Sequence, residues 1–319
     1  MPDLGEWKDS RVRQGAGEKM WCVGMTFERL GPKGLDYRPC RYGASRLLFR
    51  GPKQDLREPH VLFLGGTATY GKFLRDPFPS LVAKETGIPA VNLGVVNAGA
   101  DLYLSDSSLM DLTRGAVVTV LKVLGAQNLS NRYYTVHPRR NDRFVQASAL
   151  LKTIYRDVDF TAFHYTRHML CHLEHLSPER FAILVAELKE AWVARMGDLI
   201  AAIDGPVVLN WFSTRPMSVD VSCRMPMAEQ GDPLFVDGEM IAQLRGMVAE
   251  VVETVPAAEA GTEGMVFSQM EAAAARTQFN ARAHAENAAN LAAALHRLVP
   301  EPGEEQERPR RRADDIPQK

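Results

Sequence analysis

The feature that most constrains this chain is the run HVLFLGG from His60, a short apolar stretch closing on two glycines. A strand with no polar alternation has no face to give to water, so it belongs inside a parallel sheet covered on both sides. Helix-forming and strand-forming segments then alternate. DPFPSLVAKETG predicts a short crossover helix, with Pro77, Pro79 and Ser80 at its start and Gly87 and Pro89 at its end. AVNLGVV and AVVTVLKVLG predict the second and third strands, separated by a helix over LSDSSLMDLTR. Spacing this short favours parallel pairing through right-handed crossovers, and hence a doubly wound sheet.

After Gly125 the alternation stops. A polar, basic segment, AQNLSNRYYTVHPRRNDRF, leads into helical material that runs through SPERFAILVAELKEAWVARMGDLIAAID, where Ser177 is the expected cap and Pro178 suits the first turn. Arg180 stands where a capping box would place Glu. Strand and helix then resume: GPVVLNWF as a fourth strand, GEMIAQLRGMVAE as a helix, VVETVP as a fifth strand and FNARAHAENAANLAAALHRL as the last helix. The expected fold is α/β, an open five-stranded parallel sheet with a helical insertion after the third strand. Residues 1–58, rich in Gly, Pro, Arg and Tyr, are expected to form an extended arm. Residues 59–300 form the α/β domain, with 125–205 as its basic loop and helical insertion. Residues 301–319 mix both charge signs without an apolar anchor and are expected to be a disordered tail.

Charge narrows the function. A formal net charge of -1 supplies no global field to hold nucleic acid or an anionic membrane. No stretch approaches the roughly 20 apolar residues of a spanning helix, and MPDLGEWKDSRVRQ lacks the apolar core of a signal peptide. A cytoplasmic protein with a small-molecule or glycan substrate is the expectation. Cys22, Cys40, Cys171 and Cys223 are scattered without CxxC spacing and are expected as free thiols.

In an open parallel sheet the ligand site forms beyond the carboxyl ends of the strands, where the strand order switches. Three segments should converge there: GGTATYGKF from Gly65, NLGVVNAGAD from Asn92, and the basic segment from Gly125. LFLGGTATYG resembles the first block of the SGNH (GDSL) hydrolases, with Gly65, Thr69 and Gly71 on the pattern. Gly66 replaces its aspartate and Thr67 its serine nucleophile. NLGVVNAGA is similar to the second block, which supplies an oxyanion donor around its glycine, here Gly94 or Gly99. VLKVLGAQN is similar to the third, with Gln127 at the oxyanion asparagine and Asn128 beside it. ARAH places His284 at the family's histidine, with Ala281 replacing its aspartate. The resemblance implies a flavodoxin-like or SGNH-like three-layer sandwich that lacks two members of the triad.

The run from DYRPCRYG through FLGGTATYG, NLGVVNAG and NLSNRYYTVHPRRNDRF also resembles an uncharacterised bacterial domain-of-unknown-function family, whose match covers nearly the whole chain. It implies no activity.

Acyl transfer needs a hydroxyl, a base and oxyanion donors, which Thr67, His284, Gly99 and Asn128 are the candidates to supply. Threonine has fewer easy rotamers than serine, and a histidine without a carboxylate takes no fixed tautomer, so ordinary structural roles compete for both. The candidate anion-binding set is Gly65, Gly66 and Thr69 in the first loop, with Asn131, Arg132, His137, Arg139, Arg140 and Arg143 in the basic segment, against the single acid Asp142. The competing account pins that segment to acidic helices through Arg–carboxylate pairs.

His164, His168, His172 and His175 fall near one helical face, but only Glu174 offers an acid beside them, and no metal or cofactor is expected. The leading expectation is a degenerate SGNH-like hydrolase or transferase acting on an anionic or glycan-derived substrate. A non-catalytic binding protein for an anionic sugar or nucleotide is the alternative, followed by a sulfuryl or phosphoryl transferase, which the lack of a GKS/T ending disfavours.

Overall fold

A computed structural model of the protein describes residues 34–221, 225–257 and 261–299. Cys22, Cys223, the first part of the arm and the tail 301–319 lie outside the described residues, whereas Cys40 and Cys171 are free thiols.

The chain order is β1 (His60–Leu64), α1 (Thr67–Tyr70), α2 (Phe78–Thr86), β2 (Ala90–Asn92), α3 (Ala100–Leu104), α4 (Ser107–Thr113), β3 (Ala116–Lys122), β4 (Tyr134–His137) and β5 (Arg140–Ala147). There follow α5 (Ala149–Ile154), α6 (Thr166–Leu176), α7 (Pro178–Ala202), β6 (Val207–Phe212), α8 (Met227–Gln230), α9 (Gly238–Leu244), β7 (Glu250–Thr254), α10 (Ala272–Ala275) and α11 (Ala281–Leu298). The main sheet has five strands in the order β2-β1-β3-β6-β7, and every pair is parallel. The chain leaves β1 for β2 on one side and returns to β3 on the other, which makes the outgoing ends of β1 and β3 the switch point.

Burial on both faces explains the unalternating strands. All five residues of β1 are buried. Val61 and Phe63 join Phe78 and Val82 of α2 and Leu291 and Leu295 of α11 on one face, while Leu62 and Leu64 pack into the larger cluster with Trp192 of α7 and Trp211 of β6 on the other. Three layers result. Ser177 caps α7 as its sequence indicates, accepting from Arg180 N, and the Arg180 guanidinium reaches Asp157 instead of completing a box.

Several boundaries differ from the sequence pattern. LSDSSLMDLTR is not one helix, because α3 ends at Leu104 and α4 begins at Ser107. β2 keeps only three residues, since Asn92 turns its side chain back to accept from Gly94 N. The largest difference is the basic segment, which is not a loop: Tyr134–His137 and Arg140–Ala147 pair antiparallel as a hairpin. Of the arm, Cys40 and Phe49 form an isolated bridge, and Tyr42 and Phe49 are buried in the larger cluster.

Among the described residues no helix is long and apolar enough to cross a membrane.

Candidate functional site at the ends of the first three strands

The first loop is held by groups from well beyond it. Arg50 is almost wholly buried, and its guanidinium donates to the carbonyls of Tyr70, Gly71, Leu74 and Arg75, fixing the chain between α1 and α2. Tyr103 of α3, fully buried, places its hydroxyl between two loops: it receives Gly65 N at 3.0 Å and lies 2.7 Å from the Gly65 carbonyl and 2.9 Å from that of Leu93. Burial raises its phenol pKa. Asn92 donates to the Thr69 carbonyl at 2.7 Å. Gly65 therefore has both its backbone groups engaged, its N–H by Tyr103 and its carbonyl by Tyr103 and Val95 N, and Thr69 is buried with its hydroxyl facing inward.

The three segments do converge. Thr67 is the first residue of α1, and its Oγ1 accepts from Asn97 N at 3.1 Å and donates to Asn97 Oδ1 at 3.2 Å. Asn97, at φ 57°, takes the left-handed conformation that asparagine tolerates better than most residues. Its Nδ2 donates to Asp142 Oδ2 at 3.3 Å, and its carbonyl accepts from Asn128 Nδ2 at 3.0 Å. Asn128 Oδ1 in turn accepts from Thr166 Oγ1 at 2.9 Å. Thr67, Asn97, Asn128, Asp142 and Thr166 thus form one hydrogen-bonded chain across four segments.

The donors an oxyanion would need are spent inside the protein, Asn128 Nδ2 among them. Gly99 N donates to Asn141 Oδ1 at 2.9 Å, and Leu102 N donates to the same atom at 3.0 Å, so Asn141 of the hairpin caps α3. Gly94 N is spent on Asn92. Gly99 lies so close to the third segment that a Cβ there would fall 1.7 Å from the Asn128 carbonyl oxygen. Asn97 and Asn141 carry much of the architecture, and their pattern gives no warning of it because both act across more than 25 residues of sequence.

His284 stands elsewhere. It lies in the first turn of α11, fully buried between Phe78 and Phe212, and its Nδ1 accepts from Phe78 N at 3.0 Å. Burial, helped by the nearby Arg50 charge, lowers its pKa to about 3. It is a neutral ring with Nδ1 occupied, and no hydrogen bond joins it to Thr67 among the described residues.

The basic residues divide. Arg132 pairs with the buried Glu187 of α7, donating through Nε at 2.6 Å, and reaches Glu190. Asn131 accepts from the N–H groups of Tyr133 and Tyr134, a turn-building role. His137 Nδ1 accepts from Arg139 N. Arg143 stacks on Tyr165, 4.2 Å from the ring centroid. Arg139 and Arg140 sit exposed at the hairpin tip. There Arg139, with Arg46, Ser105 and Asp106, lines a cleft of about 350 Å³.

The model of a domain of unknown function, DUF6473, matches residues 25–299. The chain belongs to this family. No curated protein matches the DUF6473 chain. Among solved structures it is similar to a lipase, Lip_vut3 from a goat rumen metagenome, with TM-score 0.40 and 10% identity, covering 74% of this chain and 97% of that one. It is also similar to an acetylxylan esterase, Axe2 from Geobacillus stearothermophilus, with TM-score 0.34 and 10% identity over 76% of this chain and 96% of that one. The arrangement of the DUF6473 sheet rests on its own strand order.

Proposed function

We propose that this chain is a binding protein on an SGNH-like frame, which holds a small anionic sugar or nucleotide and performs no acyl transfer at Thr67. One observation carries the proposal: both hydrogen-bonding sides of the Thr67 hydroxyl are occupied by Asn97, whose amide is no base, while His284 is tied to Phe78 N. A nucleophile needs a partner that removes its proton, and nothing bonded to Thr67 does so. Asp142, the nearest titratable member of the chain, meets Asn97 through an amide N–H and not through the hydroxyl.

The ligand class follows from charge. Among the described residues neither Arg46 nor Arg139, which flank the cleft, pairs with a carboxylate, and the Asp106 oxygens beside them accept from Ser45 Oγ and Ser108 Oγ. Two guanidinium groups beside a serine hydroxyl suit a carboxylate or phosphate carried on a hydroxylated skeleton. Catalysis remains the second reading, favoured by the place of Thr67 directly after Gly66 at the head of α1.

Glucuronic acid and inorganic phosphate are the probes. Either should raise the melting temperature of the wild-type protein, and the rise should vanish in the double variant Arg46→Ala, Arg139→Ala. An equal rise in both proteins would remove the cleft from the proposal.

A further inference from the structure

The surface of α6 carries a group of donors with no part in the site above. The buried face of this helix is Thr166, Met169, Leu170 and Leu173. Cys171, Glu174 and His175 lie off that face, at the i, i+3 and i+4 spacing that brings side chains together on a helix. A thiol sulfur, a carboxylate oxygen and an imidazole nitrogen here lie within 4.8 Å of one another. Cys171 Sγ is 3.7 Å from His175 Nδ1. Two ligands of one tetrahedral zinc ion, with bonds of about 2.3 Å to sulfur and about 2.0 Å to nitrogen, stand roughly 3.6 Å apart.

Second contacts orient the set. Glu174 Oε1 accepts from Met227 N at 2.9 Å, which holds the carboxylate in place and leaves its other oxygen to coordinate. His175 Nδ1 donates to the Cys171 carbonyl oxygen at 2.6 Å, a bond that draws the ring over the turn carrying the thiol and that this nitrogen gives up when it takes a metal ion.

We propose that Cys171, Glu174 and His175 form a binding site for a zinc-class divalent cation, with solvent as the fourth ligand. Thiolate, imidazole and carboxylate together match the borderline softness of that class better than magnesium or calcium, which prefer all-oxygen sites. Binding replaces the thiol proton, which passes to solvent. Coordination through Nδ1 breaks its hydrogen bond to the Cys171 carbonyl, and the ring stays neutral by exchanging that proton through solvent for one on Nε2, while the carboxylate stays ionised. Because Glu174 also holds Met227, the ion would fasten α6 to the segment that begins α8.

Cobalt(II) titrated into the full-length reduced protein is the test. The expected result is one equivalent bound with the intense visible bands of tetrahedral cobalt and a sulfur-to-metal charge-transfer band, both removed by zinc. Cys171→Ser should abolish the charge-transfer band, and His175→Ala should weaken binding by roughly tenfold or more. All three side chains are off the buried face, so both variants should keep the wild-type circular dichroism. Octahedral cobalt spectra, or a charge-transfer band that survives in Cys171→Ser because another thiol supplies it, would overturn the assignment.

Discussion

Replacing Gly99 by alanine should destabilise the fold by about 3 kcal/mol, near the upper end for overpacking a close contact. The added methyl would fall 1.7 Å from the Asn128 carbonyl oxygen and 2.8 Å from its carbonyl carbon, and backbone has no rotamer with which to give way. The loop after β2 would have to withdraw from the loop after β3. That withdrawal also strains the bond from Gly99 N to Asn141 and the one from Asn128 Nδ2 to the Asn97 carbonyl. Gly246→Ala is the matched control, because a Cβ there meets nothing within 4 Å, and it should fall within about 0.5 kcal/mol of wild type. Urea unfolding followed by tryptophan fluorescence measures both. A Gly99→Ala protein as stable as the Gly246→Ala control would mean that the two loops do not meet as described.

The second large effect is on pH. His284 has a folded pKa lowered to about 3, from an ordinary value of 6.5, by burial first and by the Arg50 charge second. A lowered folded pKa means that the unfolded chain binds a proton the folded chain refuses. The contribution is intact above the unfolded pKa and is lost as pH falls from 6.5 towards 3. Between pH 7 and pH 5 the loss from this one group is roughly 2 kcal/mol, at about 1.4 kcal/mol per pH unit once the unfolded histidine is protonated. Protonation at Nδ1 would also set one N–H against the Phe78 N–H that now donates to it. Unfolding free energies at pH 7 and pH 5, for wild type and His284→Gln, isolate the effect as the difference between the two slopes. Should the variant not fold, the imidazole proton shifts of native His284 give the same answer, remaining flat from pH 7.5 to pH 5. A ring titrating near its ordinary value would place it in solvent instead.

What could be read from the sequence follows a physical division. β1 was legible because the four apolar residues in a row from Val61 to Leu64 leave no solvent face, and α7 because Ser177 and Pro178 are local signals that act on the helix they precede. The β4–β5 hairpin was hidden. Its turn, Pro138–Arg139, lacks the glycine or asparagine that announces tight hairpins, and its arginines read as loop. The meeting of Thr67, Gly99 and Asn128 followed from strand order alone. What binds them together did not: Asn97 and Asn141 are ordinary polar residues until the fold brings them opposite the backbone of other segments. His284 shows the same limit. Its place in the last helix was readable, but α11 buries a face of Ala283, His284, Asn287, Ala288 and Leu291, in which alanine carries too little apolar contrast to show which side turns inward.

The most direct test of the account concerns the Thr67 hydroxyl. Wild type and Thr67→Ala are compared for hydrolysis of short-chain aryl esters, and wild type is treated with a fluorophosphonate and analysed by mass spectrometry. With both sides of that hydroxyl taken up by Asn97, turnover should be the same for the two proteins, and no adduct should form on Thr67. Hydrolysis that disappears in Thr67→Ala, or a phosphonylated Thr67 in the wild-type protein, would contradict it.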